Sequence, residues 1–257
     1  MLSHKRHDYV KPFKKVVDTM LRSMGVIVRL ASPHNDRLSR RRHVLAKCGI
    51  DCVFDVGAHV GDYAADLRAA GYSGKIVSFE PLPAPYAELV KRAAADPLWI
   101  AAERCAVGNT HGRALMHVSR NLVSSSLLKA SPELAVYDSD TESICEVEVP
   151  VHTLSDKARE HVAPGSHCLV KIDAQGFEKQ ILEGAHNVLA QVFIVEVEVS
   201  FAELYVGQAG WREVIDYLER EQFQIWDIEP AFYSRQSGKL LQADVTFIRN
   251  SVASGLG

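Results

Sequence analysis

At 257 residues and 47% hydrophobic content, the chain is long enough for one large domain with a continuous core. No apolar run reaches the roughly 18 residues of a membrane-spanning helix, and a formal net charge of −3 excludes a uniformly polybasic nucleic-acid binder. Five cysteines with no Cys-x-x-Cys pair, and eleven scattered histidines, argue against a disulfide framework and against a dedicated metal site.

The charge is unevenly spread: residues 1–47 carry 12 of the 29 Lys/Arg but only 3 of the 32 Asp/Glu. They read as a basic helical extension on an acidic domain over residues 48–250, with 251–257 a tail. Residues 1–15 lack the apolar segment and small-residue cleavage site of a secretory signal, so a cytoplasmic protein is expected. Phe13, Val16, Val17, Met20, Leu21, Met24 and Ile27 recur at helical spacing and predict an amphipathic helix over 10–30. Its basic polar face makes it a candidate for weak peripheral contact with an anionic membrane, against the commoner role of packing on its own domain or a subunit. A second helix starts at Asn35/Asp36 and ends at Gly49. Arg40, Arg41 and Arg42 read as its solvated face, and no nucleic-acid partner is expected from them.

Beyond Gly49, short β-branched runs alternate with helical stretches. Strands are expected at 51–56, 75–79, 98–106, 168–173 and 192–199, and helices at 62–70, 84–95, 177–190 and 211–222. Nearly all-apolar strands separated by helices predict a parallel sheet buried on both faces. Residues 223–228 and 244–249 also read as strands, but no helical pattern joins them. They should therefore form an antiparallel hairpin, giving a mostly parallel sheet whose last strand runs backwards. Residues 107–166, with strands at 114–119 and 146–152, read as an insertion or lid over the edge of the sheet that holds the site.

Three motifs carry chemistry. In the first, the strand ending at Asp55 and Val56 runs into Gly57, Ala58, His59, Val60 and Gly61, a turn that opens a helix whose free N–H groups suit a carboxylate. The Gly-x-x-x-Gly spacing lacks the middle glycine of the dinucleotide fingerprint, which disfavours a pyrophosphate. In the second, Glu80 precedes Pro81 at the end of the second strand, where a carboxylate accepts both hydroxyls of a ribose; its other reading is a charge favoured by a helix N-terminus. In the third, Lys171 and Asp173 share one face of a central strand, with Glu196 and Glu198 on a neighbouring strand. Buried ionisable groups are costly unless paired or functional. Asp55, Glu80, Asp173 and Glu198 all fall at carboxyl ends of strands, where open α/β sheets bind ligands.

These residues resemble the FkbM-type methyltransferase family. The resemblance rests on five ordered blocks: 54–61, Ser78-Phe79-Glu80-Pro81, Cys105-Ala106-Val107-Gly108, Ser125-Ser126-Leu127 and 170–178. It implies a Rossmann-like class I methyltransferase fold, an α/β architecture with a seven-stranded sheet and helices on both faces. It also implies S-adenosyl-L-methionine as cofactor and O-methylation of a hydroxyl on a small-molecule, sugar or glycan acceptor. By position, the loop from Asp55 through Gly57, Ala58 and His59 to Gly61 would hold the methionine part. Glu80, with Pro81 beside it, would hold the ribose, and Ala106 and Val107 the adenine edge. His59 stands where the family often has Asn, and Ser155 where an Asp after Thr-Leu is common.

An acceptor alcohol has to lose its proton. Asp173 is the first candidate for general base or acceptor-orienting group and Glu198 the next; Asp173 contacting only the cofactor amine is the alternative. Lys171 is expected to pair with Glu196 rather than attack anything. The competing classes are an NAD(P)-dependent Rossmann oxidoreductase and a noncatalytic scaffold of the same fold. Phe201, Tyr205 and Trp211 could stack on a sugar but read more simply as packing.

Overall fold

The computed structural model describes residues 19–25, 32–33 and 36–255. It divides into two compact units at His43/Val44. The predicted amphipathic helix over 10–30 lies outside the described residues except for 19–25, of which 19–23 are helical. Helix α1 (Arg37–Lys47) starts where predicted, with the Asp36 carboxylate accepting the Ser39 N–H at 2.7 Å. Gly49 follows it in the left-handed region at φ 61°. The arginine cluster departs from expectation, because Arg41 is buried while Arg42 is exposed. At helical spacing Arg41 falls on the face of Val44, Leu45 and Cys48. Among the described residues no helix is long and apolar enough to cross a membrane.

The main sheet contains β1 (Cys52–Val56), β2 (Lys75–Phe79), β3 (Trp99–Ala101), β7 (Cys168–Ile172), β8 (Val192–Ser200), β9 (Phe223–Tyr233) and β10 (Leu240–Arg249), in the order β3-β2-β1-β7-β8-β10-β9. β1, β2, β3, β7 and β8 pair in parallel. β10 slots between β8 and β9 and is antiparallel to both, the reversed ending expected from the missing crossover helix. Both hairpin strands run further than predicted, and only the turn at 234–239 remains, closed by Ser234 N–H to the Lys239 carbonyl at 2.8 Å. This is the expected mostly parallel seven-stranded sheet with a reversed last strand.

Alternate strand residues feed two cores, one on each face. Phe54, Val56, Val77, Phe79, Val170, Ile172 and Val197 belong to one, and Val53, Ile76, Leu169, Ile194 and Ile248 to the other. Helices α2 (Asp62–Ala69) and α3 (Pro83–Ala93) supply Ala64, Leu67, Leu89 and Ala93 to the second core. Helices α6 (Glu178–Gly184) and α7 (Trp211–Arg220) supply Ile181, Leu182, Val214 and Leu218 to the first. α6 is much shorter than the predicted 177–190. Its last residue, Gly184, sits so close to the chain at 108 that an added Cβ would lie 2.0 Å from the Gly108 carbonyl oxygen.

The expected strand over 98–106 is two strands in two sheets. β3 pairs with β2, and the chain then leaves for β4 (Ala106–Gly108), which pairs in parallel with β6 (Ser143–Thr153). β5 (Gly112–Ser119) pairs antiparallel with β6, completing a separate sheet of order β4-β6-β5. Between β5 and β6 the polar stretch carries a short helix, α4 (Pro132–Tyr137). After β6, the Thr153 side chain caps helix α5 (Leu154–Arg159).

Gly61 shows how tightly the second core is filled. It caps α2 at φ 89° and ψ 27°, and an added Cβ would lie 2.5 Å from the Trp99 ring and 2.9 Å from Leu89. Gly61→Ala combines left-handed strain with overpacking, so we expect a stability loss of about 2–4 kcal/mol. Urea denaturation monitored by tryptophan fluorescence measures it; an unchanged midpoint would contradict this account.

Candidate active site

A cleft with about 690 Å³ of empty space, part of it open to solvent, lies at the carboxyl ends of β1, β2 and β7. Gly57, His59, Glu80, Pro81, Ala106, Val107 and Asp173 all line it, so seven of the twelve candidate residues converge on one cavity. Asp55, Ala58, Gly61, Lys171 and Glu198 do not line it.

Glu80 is the cleft carboxylate most firmly fixed by the backbone. It is buried, and its two oxygens each hold one backbone N–H: Oε1 that of Leu82 at 2.8 Å, Oε2 that of His59 at 2.9 Å. Burial pushes its pKa up to about 7, held back by those two N–H groups. The remaining lone pairs are available to hydroxyls of a ligand.

Asp55 sits behind the cleft, fully buried. Its carboxylate accepts the Ser78 hydroxyl at 3.2 Å and lies 3.5 Å from Lys171 Nζ. Ser78 in turn accepts the Trp99 indole N–H at 3.0 Å. Burial raises the Asp55 pKa, and Lys171 opposes it. Lys171 thus does not take the expected partner. Its Nζ lies 3.5 Å from both Asp55 Oδ1 and Asp173 Oδ2 and donates to the Gly57 carbonyl at 3.2 Å. Glu196, its register neighbour on β8, accepts the Tyr63 hydroxyl at 3.2 Å instead. The reason is the depth of Asp55, which would be an unpaired interior charge without the ammonium. Burial pulls the Lys171 pKa down, but Asp173 and Asp55 together carry it above its ordinary value.

Gly57 and Gly61, both at positive φ in this turn, also make room for neighbouring groups. A Cβ on Gly57, at φ 76°, would lie 1.8 Å from the Asp173 carbonyl oxygen. The glycine thus lets the turn after β1 pack on the turn after β7, while Gly61 makes room for Trp99. Neither clash involves open cleft.

Asp173 is the partly exposed member of the acid group. Its Oδ1 accepts the Gln175 amide N–H at 2.8 Å, and the same nitrogen donates to Glu198 at 3.1 Å. Glu198 also receives the Gln242 amide at 2.5 Å. Burial, then Asp173, Glu178 and Asp244, hold the Glu198 pKa well above the carboxylate range. Glu178 is buried as well, accepting the N–H groups of Ala174 at 3.1 Å and Gly176 at 3.0 Å, and burial pushes it up to about 7.

The other walls were not legible as site residues. Met116, Leu122, Val123, Ser125 and Leu127, from β5 and the loop after it, form one wall, and Phe79, Leu82, Cys105, Phe177 and Ile181 give an apolar slot. Such a slot suits a flat aromatic base, with Glu80 next to it and Gly57, His59 and Asp173 at the β1/β7 end. The Ser125-Ser126-Leu127 block was the available signal for the first wall. Gln175 falls inside the 170–178 block without a role of its own, and Tyr205 reads as packing. Among the described residues no group of three His, Cys, Asp or Glu is arranged to hold a metal ion.

Residues 55–225 match the family model described as the methyltransferase FkbM domain. Solved structures with a similar course include magnesium protoporphyrin IX methyltransferase from Synechocystis PCC 6803 with bound SAM, at 10% identity over 92% of this chain and 96% of that one (TM-score 0.43). The METTL16 methyltransferase domain is similar at 11% identity over 96% and 82% (TM-score 0.45). A putative tRNA (m1A22) methyltransferase from Streptococcus pneumoniae in complex with S-adenosyl-L-methionine is similar at 13% identity over 82% and 72% (TM-score 0.42). A comparison with curated proteins gave no match.

The ion pair to buried Asp55 yields a test of its own. Lys171→Met leaves Asp55 without a cation, at a cost of about 3–5 kcal/mol near neutral pH. Asp55 then has a folded-state pKa further above its unfolded value, so protonation relieves the penalty, and the deficit shrinks as pH falls. Urea titrations of both proteins at pH 5 and pH 8 check this; a deficit independent of pH would refute the pairing as the cause.

Proposed function

The chain belongs to the FkbM methyltransferase family and is an S-adenosyl-L-methionine-dependent methyltransferase; from that premise we propose that it O-methylates a hydroxyl of a sugar, glycan or other small metabolite. The observation that carries the reading is the convergence of Glu80, the apolar slot and Asp173 on one cleft. Residues 48–250 are the proposed methyltransferase domain, with 107–166 as its lid region. A basic extension over residues 1–47 and a tail over 251–257 complete the proposed organisation.

The side chains fit the cofactor. Glu80, already fixed by two backbone N–H groups, would accept the ribose hydroxyls. Phe79, Leu82, Ala106, Val107, Phe177 and Ile181 would flank the adenine, and Gly57, His59 and Asp173 would surround the methionine part. Asp55, Ala58, Gly61 and Lys171 support this wall from behind. When bound, the cofactor supplies a methyl group activated by a sulfonium.

Asp173 is the proposed base that takes the acceptor's hydroxyl proton, because it is the cleft-lining carboxylate at the end of β7. Lys171 Nζ lies 3.5 Å from it and orients it from behind, and that ammonium is paired rather than left to repel a sulfonium. Glu198 fits the role less well, because it does not line the cleft and its carboxylate is engaged by the Gln175 and Gln242 amides. The wall from 116 to 127 limits the water that competes with the acceptor. A second reading, in which Asp173 holds only the cofactor amine, is favoured by the same lining position. Asp173→Asn separates the two: the proposal expects near-normal binding of S-adenosylhomocysteine and a fall of about 100-fold or more in methyl transfer to hydroxylated glycan acceptors. Weakened binding with normal turnover at saturating cofactor would assign Asp173 to the amine.

Glu80 gives a pH signature. Ribose hydroxyls donate to the ionised carboxylate, whose pKa is about 7 in the free protein. S-adenosylhomocysteine should therefore bind about tenfold more weakly at pH 6 than at pH 8. Glu80→Gln should weaken binding at both and flatten the dependence. Calorimetry at the two pH values tests this, and an unchanged slope in the variant would remove Glu80 from the ribose.

A further inference from the structure

Tyr205 is fully buried and lies outside every motif that carries the family resemblance. Its hydroxyl oxygen is 2.7 Å from Gln175 Oε1 and 3.0 Å from the Ser124 carbonyl. The Gln175 amide can take only one orientation. Its nitrogen faces two carboxylate oxygens, of Asp173 and Glu198, and turning the amide over would set its oxygen against both. The amide oxygen therefore faces Tyr205, and the phenol is the donor, its single proton shared between that oxygen and the Ser124 carbonyl. Burial, with Glu198, Glu178 and Asp173 adding to it, keeps that phenol protonated.

The same tyrosine grips the loop that walls the cleft. Ala130 and Tyr205 form an isolated antiparallel bridge, Val206 N–H donates to the Lys129 carbonyl, and Ser131 N–H to the Leu204 carbonyl, both at 2.8 Å. From the other side, Ser126 Oγ donates to the Gln175 carbonyl at 2.7 Å. Gly176, at φ 97°, lies flat against the Tyr205 ring, where an added Cβ would be 3.0 Å from the tyrosine Cβ. Gln175 itself adopts a left-handed φ of 55°, a conformation that a non-glycine residue keeps only when its surroundings fix it.

We infer that Tyr205 is a positioning residue for the transfer reaction: through the Gln175 amide it orients Asp173, and through the Ser124 carbonyl it holds the loop over 120–131 against the cofactor cleft. One hydroxyl thus ties the retention of cofactor to the placement of the base. The inference rests on the cleft being the S-adenosyl-L-methionine site. It adds a residue at the far end of the acid cluster that touches neither the cleft nor the reacting atoms.

Tyr205→Phe keeps the buried ring and removes only the hydroxyl, so it should fold, with the cleavage pattern of limited proteolysis unchanged outside 120–131. In the full chain, S-adenosylhomocysteine should leave the variant about tenfold faster than the wild type in stopped-flow fluorescence. Amide hydrogen exchange should rise in 120–131 and in 173–177 together. Ser126→Ala pulls on Gln175 from the other side. Its effect on release should be smaller in the Tyr205→Phe background than alone, a coupling that a merely space-filling tyrosine would not show. Equal release rates and equal exchange in wild type and Tyr205→Phe overturn the inference, and so does strict additivity of the two substitutions. If the wild-type chain fails to bind S-adenosylhomocysteine, it is the cofactor reading that falls instead.

Discussion

The site depends on one ammonium placed between two carboxylates. Lys171 lies between Asp55 on the neighbouring strand and Asp173 just beyond its own strand. Asp55 has no contact with solvent, and its charge in that position requires a cation in reach. The ammonium also bonds the Gly57 carbonyl, so it joins the turn after β1 to the turn after β7. Those two turns make one end of the cleft. An interior ion pair adds little to stability compared with well-packed apolar groups; its value here lies in fixing where Asp173 points.

The sheet changes character along its length to make this arrangement possible. Toward the amino ends of the strands both faces are apolar and feed separate cores. Toward the carboxyl ends, one face becomes polar from strand to strand, with Ser78, Asp55, Lys171 and Glu196 in lateral register. Hydrogen bonds extend this row to Trp99 at one side and to Tyr63 at the other. Each polar group has a neighbour that limits the cost of its burial. The cleft opens where this row meets the loops.

The second sheet closes the other side. β4 leaves the end of β3 and carries Ala106 and Val107 to the cleft, while β5 and its following loop bring Met116, Leu122, Val123, Ser125 and Leu127 to it. The apolar cluster of Leu82, Ala106, Met116, Val118, Val149 and Val151 anchors that sheet at the turn just past Glu80. Glu80 and the second sheet are therefore positioned by the same packing.

Much of this was legible locally. The alternation of apolar strands and helices, the missing crossover before the last strand and the placement of Glu80, Asp173 and the β1 turn at strand ends follow from periodicity and from the rule that such sheets bind ligands at their carboxyl edge. These features survive because they depend on the order of residues along the chain. The partner of Lys171 was different, since Glu196 and Asp55 flank it on opposite sides in the same register and only relative depth chooses between them. The end of α6, the splitting of residues 98–106 between two sheets and the donor role of Tyr205 likewise depend on what arrives from far along the chain. The sequence by itself determined the architecture and the edge of the sheet at which the cleft lies. Only the tertiary structure decided which charges meet there, because burial and side-chain reach are properties of packed neighbours and not of spacing.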